Sequence, residues 1–191
     1  MKIILGSQSR YRKEILKSMG VEFETMSPDI DERAIRFDDP EVLALALAKA
    51  KADALAPRIM GSAILITSDQ VVSWNGTIRE KPRNVEEARS FLQSYHLAPV
   101  RTITAVVATN TAGRKQSQGV DIAQIIFRQI PEEAINEFIA NGDPFSKAGG
   151  FAVQDPILKP FIEKIDGTED SIMGLPKTLT TKLMEEVSAN L

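Results

Sequence analysis

The stretch Ser62-Ala63-Ile64-Leu65-Ile66-Thr67-Ser68-Asp69-Gln70-Val71-Val72-Ser73-Trp74-Asn75-Gly76 decides the fold. Ser62 to Thr67 is an apolar run of the kind that forms a buried strand, with Ser68-Asp69 at its carboxyl end. Gln70 to Trp74 continues extended to Asn75-Gly76, the strongest short-range hairpin signal. A buried strand must be covered by other elements. The flanking sequence supplies them.

Upstream, Lys2 to Leu5 is strand-like and stops at Gly6. Ser7 or Ser9 then caps a helix over Arg10 to Met19, where Tyr11, Ile15 and Met19 recur at helical spacing. Gly20 closes it, and Val21 to Met26 alternates as a strand does. Ser27 to Asp39 is polar and acidic and reads as a loop, after which Pro40 opens a long helix to about Ala56. Downstream, Val85 to Tyr95 is an amphipathic helix, and Arg101 to Ala108 and Asp121 to Phe127 are strands around a turn region. Pro131 opens a helix that stops at Gly142, Pro144 to Asp170 reads as irregular, and Pro176 starts a last helix to about Ala189. Strands alternating with helices, plus one late hairpin, predict an α/β fold with a mixed twisted sheet flanked by helices. In such folds ligands bind beyond the carboxyl ends of strands.

The bulk numbers narrow the chemistry. A chain of 191 residues suits one domain, or two lobes sharing one core. A net charge of −3 argues against a duplex nucleic-acid binder, which needs a basic surface. There is no cysteine, so disulfides, thiolate catalysis and cysteine-ligated zinc are excluded. The apolar run Ile3-Ile4-Leu5 is too short for a signal peptide, and Val42 to Ala48 is too short to span a membrane, so a cytoplasmic protein is expected. His96 is the sole histidine and has no Ser-His or Cys-His pattern around it, which makes it a surface or loop residue rather than a catalyst.

Three polar clusters remain. Ser7-Gln8-Ser9-Arg10-Tyr11-Arg12-Lys13 lies between a strand and a helix, where free backbone N–H groups and the helix dipole favour an anion. The same residues also make an ordinary serine cap followed by a solvated basic turn. Asp69 can hold a divalent cation or accept a proton from water, or it can simply cap a turn. Asp29-Ile30-Asp31-Glu32 offers hard oxygen ligands suited to magnesium or manganese, or a solvated acidic loop. Lys49, Lys51 and Lys81 each read, singly, as surface charges.

The order of these elements is more specific than any one of them. Strand, then Ser7-x-Ser9-x-x-Arg12, then Asp31-Glu32, Leu47-Ala48-x-x-Lys51-Ala52, Ser68-Asp69-Gln70-Val71-Val72, Lys81-Pro82, Lys147-Ala148-Gly149 and Gly174-Leu175-Pro176 resembles the Maf family from one end to the other. That family consists of nucleoside triphosphate pyrophosphatases related in structure to the inosine triphosphate pyrophosphatases. The resemblance implies two lobes around a cleft and a single Maf-like domain over residues 1–191. It implies hydrolysis of a nucleoside triphosphate to the monophosphate and pyrophosphate, with Asp69 as the base. By the same resemblance Ser7, Ser9, Arg12, Lys51 and Lys81 hold phosphates, and Glu32 and Asp69 ligate Mg²⁺ or Mn²⁺. Tyr11, Gln70 and Gln154 fall on the positions that tune base choice.

Some residues depart from the family's common pattern. Ser9-Arg10-Tyr11-Arg12 stands where many relatives read Ser-Pro-Arg-Arg, and Ser146 stands where many have aspartate. Tyr11 and Gln70 resemble the members that prefer 7-methyl-GTP, whereas Gln154 resembles those acting on dTTP and UTP. The lean is toward the methylated purine, because an aromatic ring stacks on a cationic base. The expected partner is therefore a small nucleotide, with no stable nucleic-acid binding. Relatives are often homodimers, although no stripe in the sequence identifies an interface. The competing expectation is a non-catalytic nucleotide- or nucleic-acid-binding regulator linked to cell division. A triphosphate phosphohydrolase releasing orthophosphate is a third.

Overall fold

The computed structural model describes residues 1–188, with the elements β1 (Lys2–Leu5), α1 (Arg10–Ser18), β2 (Glu24–Thr25), α2 (Pro40–Leu55), β3 (Ala63–Trp74), β4 (Thr77–Arg79), α3 (Val85–Ser94), β5 (Val100–Asn110), β6 (Lys115–Phe127), α4 (Glu132–Asn141), β7 (Ile162–Asp166), α5 (Glu169–Ile172) and α6 (Lys177–Ser188). One mixed sheet carries the strands in the order β2-β1-β3-β5-β6-β7, with β4 paired to β3 off that path. β1 runs parallel to both β2 and β3, whereas β4 and β7 are antiparallel to β3 and β6. The expected α/β class with a mixed, helix-flanked sheet is what forms.

Five local expectations change, the first in the Thr109 to Gly119 stretch expected as a turn, where β5 runs on to Asn110 and β6 already begins at Lys115. Ala63 to Trp74 is one unbroken strand, so Asp69 lies within β3 rather than at its end. The extended segment after Met19 narrows to the two-residue β2. The loop from Ser27 to Asp39 contains a 3₁₀ turn, Glu32–Ala34, capped by the Asp31 carboxylate, which accepts from Arg33 N. The region from Pro144 to Asp170 is not irregular throughout, since β7 forms there and pairs with β6 through Ile125 and Ile165. Glu163, Lys164 and Asp166 are exposed on β7, the charged pattern of a sheet edge, and that pattern hides a strand from hydrophobic periodicity. Ala189, the approximate end expected for the last helix, lies outside the described residues.

The chain divides into two compact units. The first comprises Met1–Gln70, Thr104–Asp121 and Asp170–Leu191; the second comprises Val71–Ile103 and Ile122–Glu169. β3, β5 and β6 each contribute residues to both.

In the first unit, Leu5, Ile64, Ile66, Val106 and Ala108 from the sheet pack against Ile15 and Leu16 of α1 and Leu183 and Val187 of α6. Helix α2 buries Leu43, Ala44, Leu47, Ala48, Lys51, Ala52 and Leu55, a set of positions three and four apart that defines one helix face. Its start is secured by Asp39, whose carboxylate accepts from Glu41 N and Val42 N, and by Pro40 in the first turn. Thr67 Oγ1 donates to Ala48 O at 2.8 Å and ties β3 to that buried face. Gly6, just past β1, permits a close approach: a Cβ there would lie 2.6 Å from Leu55 Cδ1 and 2.7 Å from Thr67 Cγ2.

In the second unit, Tyr95, Phe127 and Phe151 form an aromatic cluster with ring centroids 5.6–5.7 Å apart. Burial pushes the Tyr95 phenol well above its ordinary range, so it remains a donor, and it donates to Gly149 O at 2.5 Å. Arg79 lies over the rings of Trp74, Phe91 and Tyr95 at 4.0, 4.6 and 4.8 Å and donates to Phe91 O.

Candidate active site

Helix periodicity delivers the first functional side chain. Lys51 falls on the buried face of α2, one turn beyond Ala48, whereas its neighbour Lys49 is exposed. On β3, Thr67 and Asp69 share a face because strand side chains alternate. The Thr67–Ala48 hydrogen bond therefore sets the register that brings Lys51 to Asp69. Lys51 Nζ lies 2.5 Å from Asp69 Oδ1 and 2.7 Å from Glu32 Oε1. Side-chain exposure is 7% for Lys51, 12% for Asp69 and 54% for Glu32, so the constellation is lined by the core on one side and wet on the other. Asp69 is recessed but not sealed.

The loop after β1 reaches the same strand. Ser9 caps α1, its Oγ accepting from Arg12 N at 3.4 Å, and Ser7 Oγ accepts from Ser9 N at 3.1 Å. Both serines are acceptors in these bonds, which leaves each O–H hydrogen available to another acceptor. The expected choice between Ser7 and Ser9 as cap is settled in favour of Ser9. Tyr11 sits partly buried in the first turn of α1.

Arg12 is more deeply integrated than a surface phosphate clamp. Its Nε donates to Gly174 O at 2.9 Å and its Nη1 to Ser68 O at 2.7 Å. Gly174 O also accepts from Ser68 Oγ at 2.8 Å. Burial lowers the guanidinium from its ordinary value, while the negative charges of Asp69 and Glu32 oppose that shift. An arginine has five N–H donors and keeps its charge in proteins, so donors remain for a ligand after these two bonds. Gly174 is the residue that sequence reasoning left without a role. Its φ is +94°, and a Cβ at this position would lie 3.2 Å from Arg12 Nε, so glycine is required. Gly174→Ala is expected to cost about 1–3 kcal/mol, read from urea unfolding, because the left-handed backbone is strained and Arg12 must shift.

Gln70 is held by its amide nitrogen. Nε2 lies 2.9 Å from Thr104 Oγ1, Ser171 O and Ile172 O, which assigns the amide orientation and leaves Oε1 as an acceptor. Thr104 and Ser171 had no signal in the sequence, since they reach Gln70 only through long-range packing.

Ser7, Ser9, Tyr11, Arg12, Glu32, Lys51, Asp69 and Gln70 belong to the first unit, whereas Lys81 and Gln154 belong to the second. There, Lys81 is exposed beside the buried Pro82, and Gln154 Nε2 is a buried donor with no hydrogen-bond partner. Lys147 is partly buried and donates to Asp143 O at 2.7 Å, with Asp143 Oδ2 3.6 Å away. Ser146 Oγ lies 2.5 Å from Asp143 Oδ2 as well. The hydrogen bond from Ser146, followed by the charge of Lys147, holds the Asp143 carboxyl below its ordinary value. His96 is exposed.

A hard divalent cation suits this donor set. Among the described residues no group of three or more His, Cys, Asp or Glu side chains is placed to hold a metal. Glu32 and Asp69 do converge, with one oxygen of each already directed at a single cationic nitrogen. Two protein carboxylates, completed by water and phosphate oxygens, are the usual environment of Mg²⁺ in a nucleotide site. Among the described residues, no helix is long and apolar enough to cross a membrane.

Comparison with known proteins identifies the family. A protein named 7-methyl-GTP pyrophosphatase from Dictyostelium discoideum is 45% identical, covering 97% of each chain. One named dTTP/UTP pyrophosphatase from Alkaliphilus metalliredigens is 34% identical over 92% of this chain and 90% of its own. A solved HAM1 protein from Coxiella burnetii aligns over 100% of both chains at 11% identity, with a TM-score of 0.47. With the family model described as Maf-like protein matching residues 2–187, the chain belongs to the Maf family.

Proposed function

We propose that this chain is a nucleoside triphosphate pyrophosphatase that hydrolyses 7-methyl-GTP to the monophosphate and pyrophosphate with the help of a divalent cation. The observation that carries this reading is the convergence of Asp69, Glu32 and Lys51 beside the Ser7–Arg12 loop. It gathers two carboxylates, two cations and two hydroxyl donors within one unit, a set suited to a phosphoanhydride and to water. The 45% identity to a protein named for the same activity supports it.

In this reading the Ser7 and Ser9 hydroxyls, the remaining N–H groups of Arg12, and the Lys51 and Lys81 ammonium groups bind the triphosphate oxygens. Glu32 and Asp69 would hold Mg²⁺ or Mn²⁺, which when bound neutralises phosphate charge and polarises water. Asp69 takes a proton from the attacking water at a carboxylate oxygen. Oxygen–phosphorus bond formation at the α-phosphorus accompanies breakage of the bond to the bridging oxygen, and pyrophosphate leaves. The cationic groups stabilise the charge that develops on the leaving oxygens. The assignment of Lys81 rests on its place in the Lys-Pro element.

Base choice is proposed to rest on Tyr11, Gln70 and Gln154. The Tyr11 ring stacks on the cationic 7-methylguanine. Gln70 Oε1, left free by the three contacts of Nε2, accepts from a donor on the guanine edge. Gln154 brings an unpaired buried donor. A second reading, preference for dTTP and UTP, is favoured by Gln154 itself and by the 34% identical relative named for those substrates. A panel of 7-methyl-GTP, dTTP, UTP and CTP with Mg²⁺ or Mn²⁺, scored by pyrophosphate release, separates the two. Orthophosphate as the product would overturn both. Gln70→Thr is expected to lower the kcat/KM ratio of 7-methyl-GTP to UTP by about tenfold, the worth of one hydrogen bond at the base edge. The proposed setting is the cytoplasm, acting on free nucleotide as a single domain.

A further inference from the structure

One ammonium stands where two carboxylates point. Lys51 Nζ is within hydrogen-bond distance of Asp69 Oδ1 at 2.5 Å and Glu32 Oε1 at 2.7 Å, and Asp69 and Glu32 come from elements far apart in sequence. Glu32 is 54% exposed and Lys51 only 7%, so the contact joins a recessed ammonium to a carboxylate that solvent still reaches. We propose that Lys51 is a stand-in cation: in the nucleotide-free protein its ammonium fills the position of the divalent metal, and it yields that position only when a triphosphate draws it away. This inference rests on the proposed pyrophosphatase reading and adds to it an order of loading, with metal entering together with nucleotide rather than before it.

Charge balance supports this. Arg12 and Lys51 oppose Asp69 and Glu32, so the four groups sum to zero without a metal. A divalent ion bound by the same two carboxylates would add two positive charges within a few ångströms of Lys51 Nζ, where like charges in a poorly hydrated site repel strongly. A triphosphate removes the conflict by supplying several negative oxygens, to which both the metal and the displaced ammonium can bind. The backbone of α2 is pinned by the Thr67–Ala48 hydrogen bond, so the exchange needs only rotation of the flexible lysine stem. While Lys51 donates to Asp69 Oδ1, that oxygen is engaged.

The test is Mn²⁺ binding to the full-length protein without nucleotide, followed by the electron paramagnetic resonance signal of free Mn²⁺. Lys51→Met is expected to bind Mn²⁺ at least about tenfold more tightly than wild type, since an opposing charge near the ion is removed. Adding Glu32→Gln to that variant should reverse the gain. A non-hydrolysable triphosphate analogue should tighten Mn²⁺ binding far more in wild type than in Lys51→Met. Should methionine prevent folding, as circular dichroism would show, Lys51→Gln removes the charge while keeping a donor and is held to the same expectation. Equal or weaker Mn²⁺ binding by the folded charge-neutral variant would overturn the proposal. Wild type without pyrophosphate release, but with the Mn²⁺ contrast intact, would overturn the enzymatic reading and leave the stand-in role of Lys51 supported.

Discussion

Asp69→Asn is expected to lower kcat for pyrophosphate release by on the order of 10²–10⁴, the usual worth of a positioned general base. The substitution is nearly isosteric, and its carbonyl oxygen can still accept from Lys51. Lys51 keeps its second partner, Glu32, so no charge is stranded and the fold should survive. Rapid-quench measurement of pyrophosphate, with circular dichroism to verify folding, checks the expectation. A kcat within a few-fold of wild type would remove Asp69 from the mechanism. The basis is geometric: Asp69 is the one recessed carboxylate of the constellation, with 12% of its side chain still accessible.

Arg12→Ala should damage stability and catalysis together. The guanidinium joins Ser68 O on β3 to Gly174 O, which precedes α6, so its removal loses two charge-assisted hydrogen bonds. Gly174 O would retain Ser68 Oγ, but Ser68 O would lose this donor. A loss of about 2–4 kcal/mol is expected from two such bonds, measured by urea unfolding. In kcat/KM the loss should exceed that of any surface lysine, because the strand carrying Asp69 and the loop carrying Ser7 and Ser9 are fastened to each other through this residue. Arg12→Lys separates charge from geometry: an ammonium keeps the charge but lacks the planar fork, and should recover only part of the stability. Arg12→Ala unfolding at the same urea concentration as wild type would show that the anchor carries no weight.

Much of this site could be read from the order of residues. Ser9 as a helix cap, Pro40 at a helix start and Asn75-Gly76 as a hairpin turn are local signals, because caps and turns involve backbone groups only a few residues away. Lys51 was legible in principle: it occupies a buried-face position between Leu47 and Leu55, where a surface lysine does not belong. Taken singly, however, it looks like any other lysine in a helix rich in alanine and leucine. Strand β7 was not legible, since its charged edge residues give no apolar alternation.

The sequence by itself determined the class of fold, the family, and the inventory of hydroxyls, cations and carboxylates that a phosphate site needs, because periodicity, caps and motif order are properties of neighbouring residues. Only the tertiary structure decided that Lys51 is shared between Asp69 and Glu32, that Arg12 spends two donors on Ser68 and Gly174, and that Gln70 is pinned by Thr104 and Ser171. The reason is physical. Such partnerships join residues from 18 to more than 100 positions apart, and which donor meets which acceptor is settled when buried polar groups must be satisfied at the moment the helices close on the sheet.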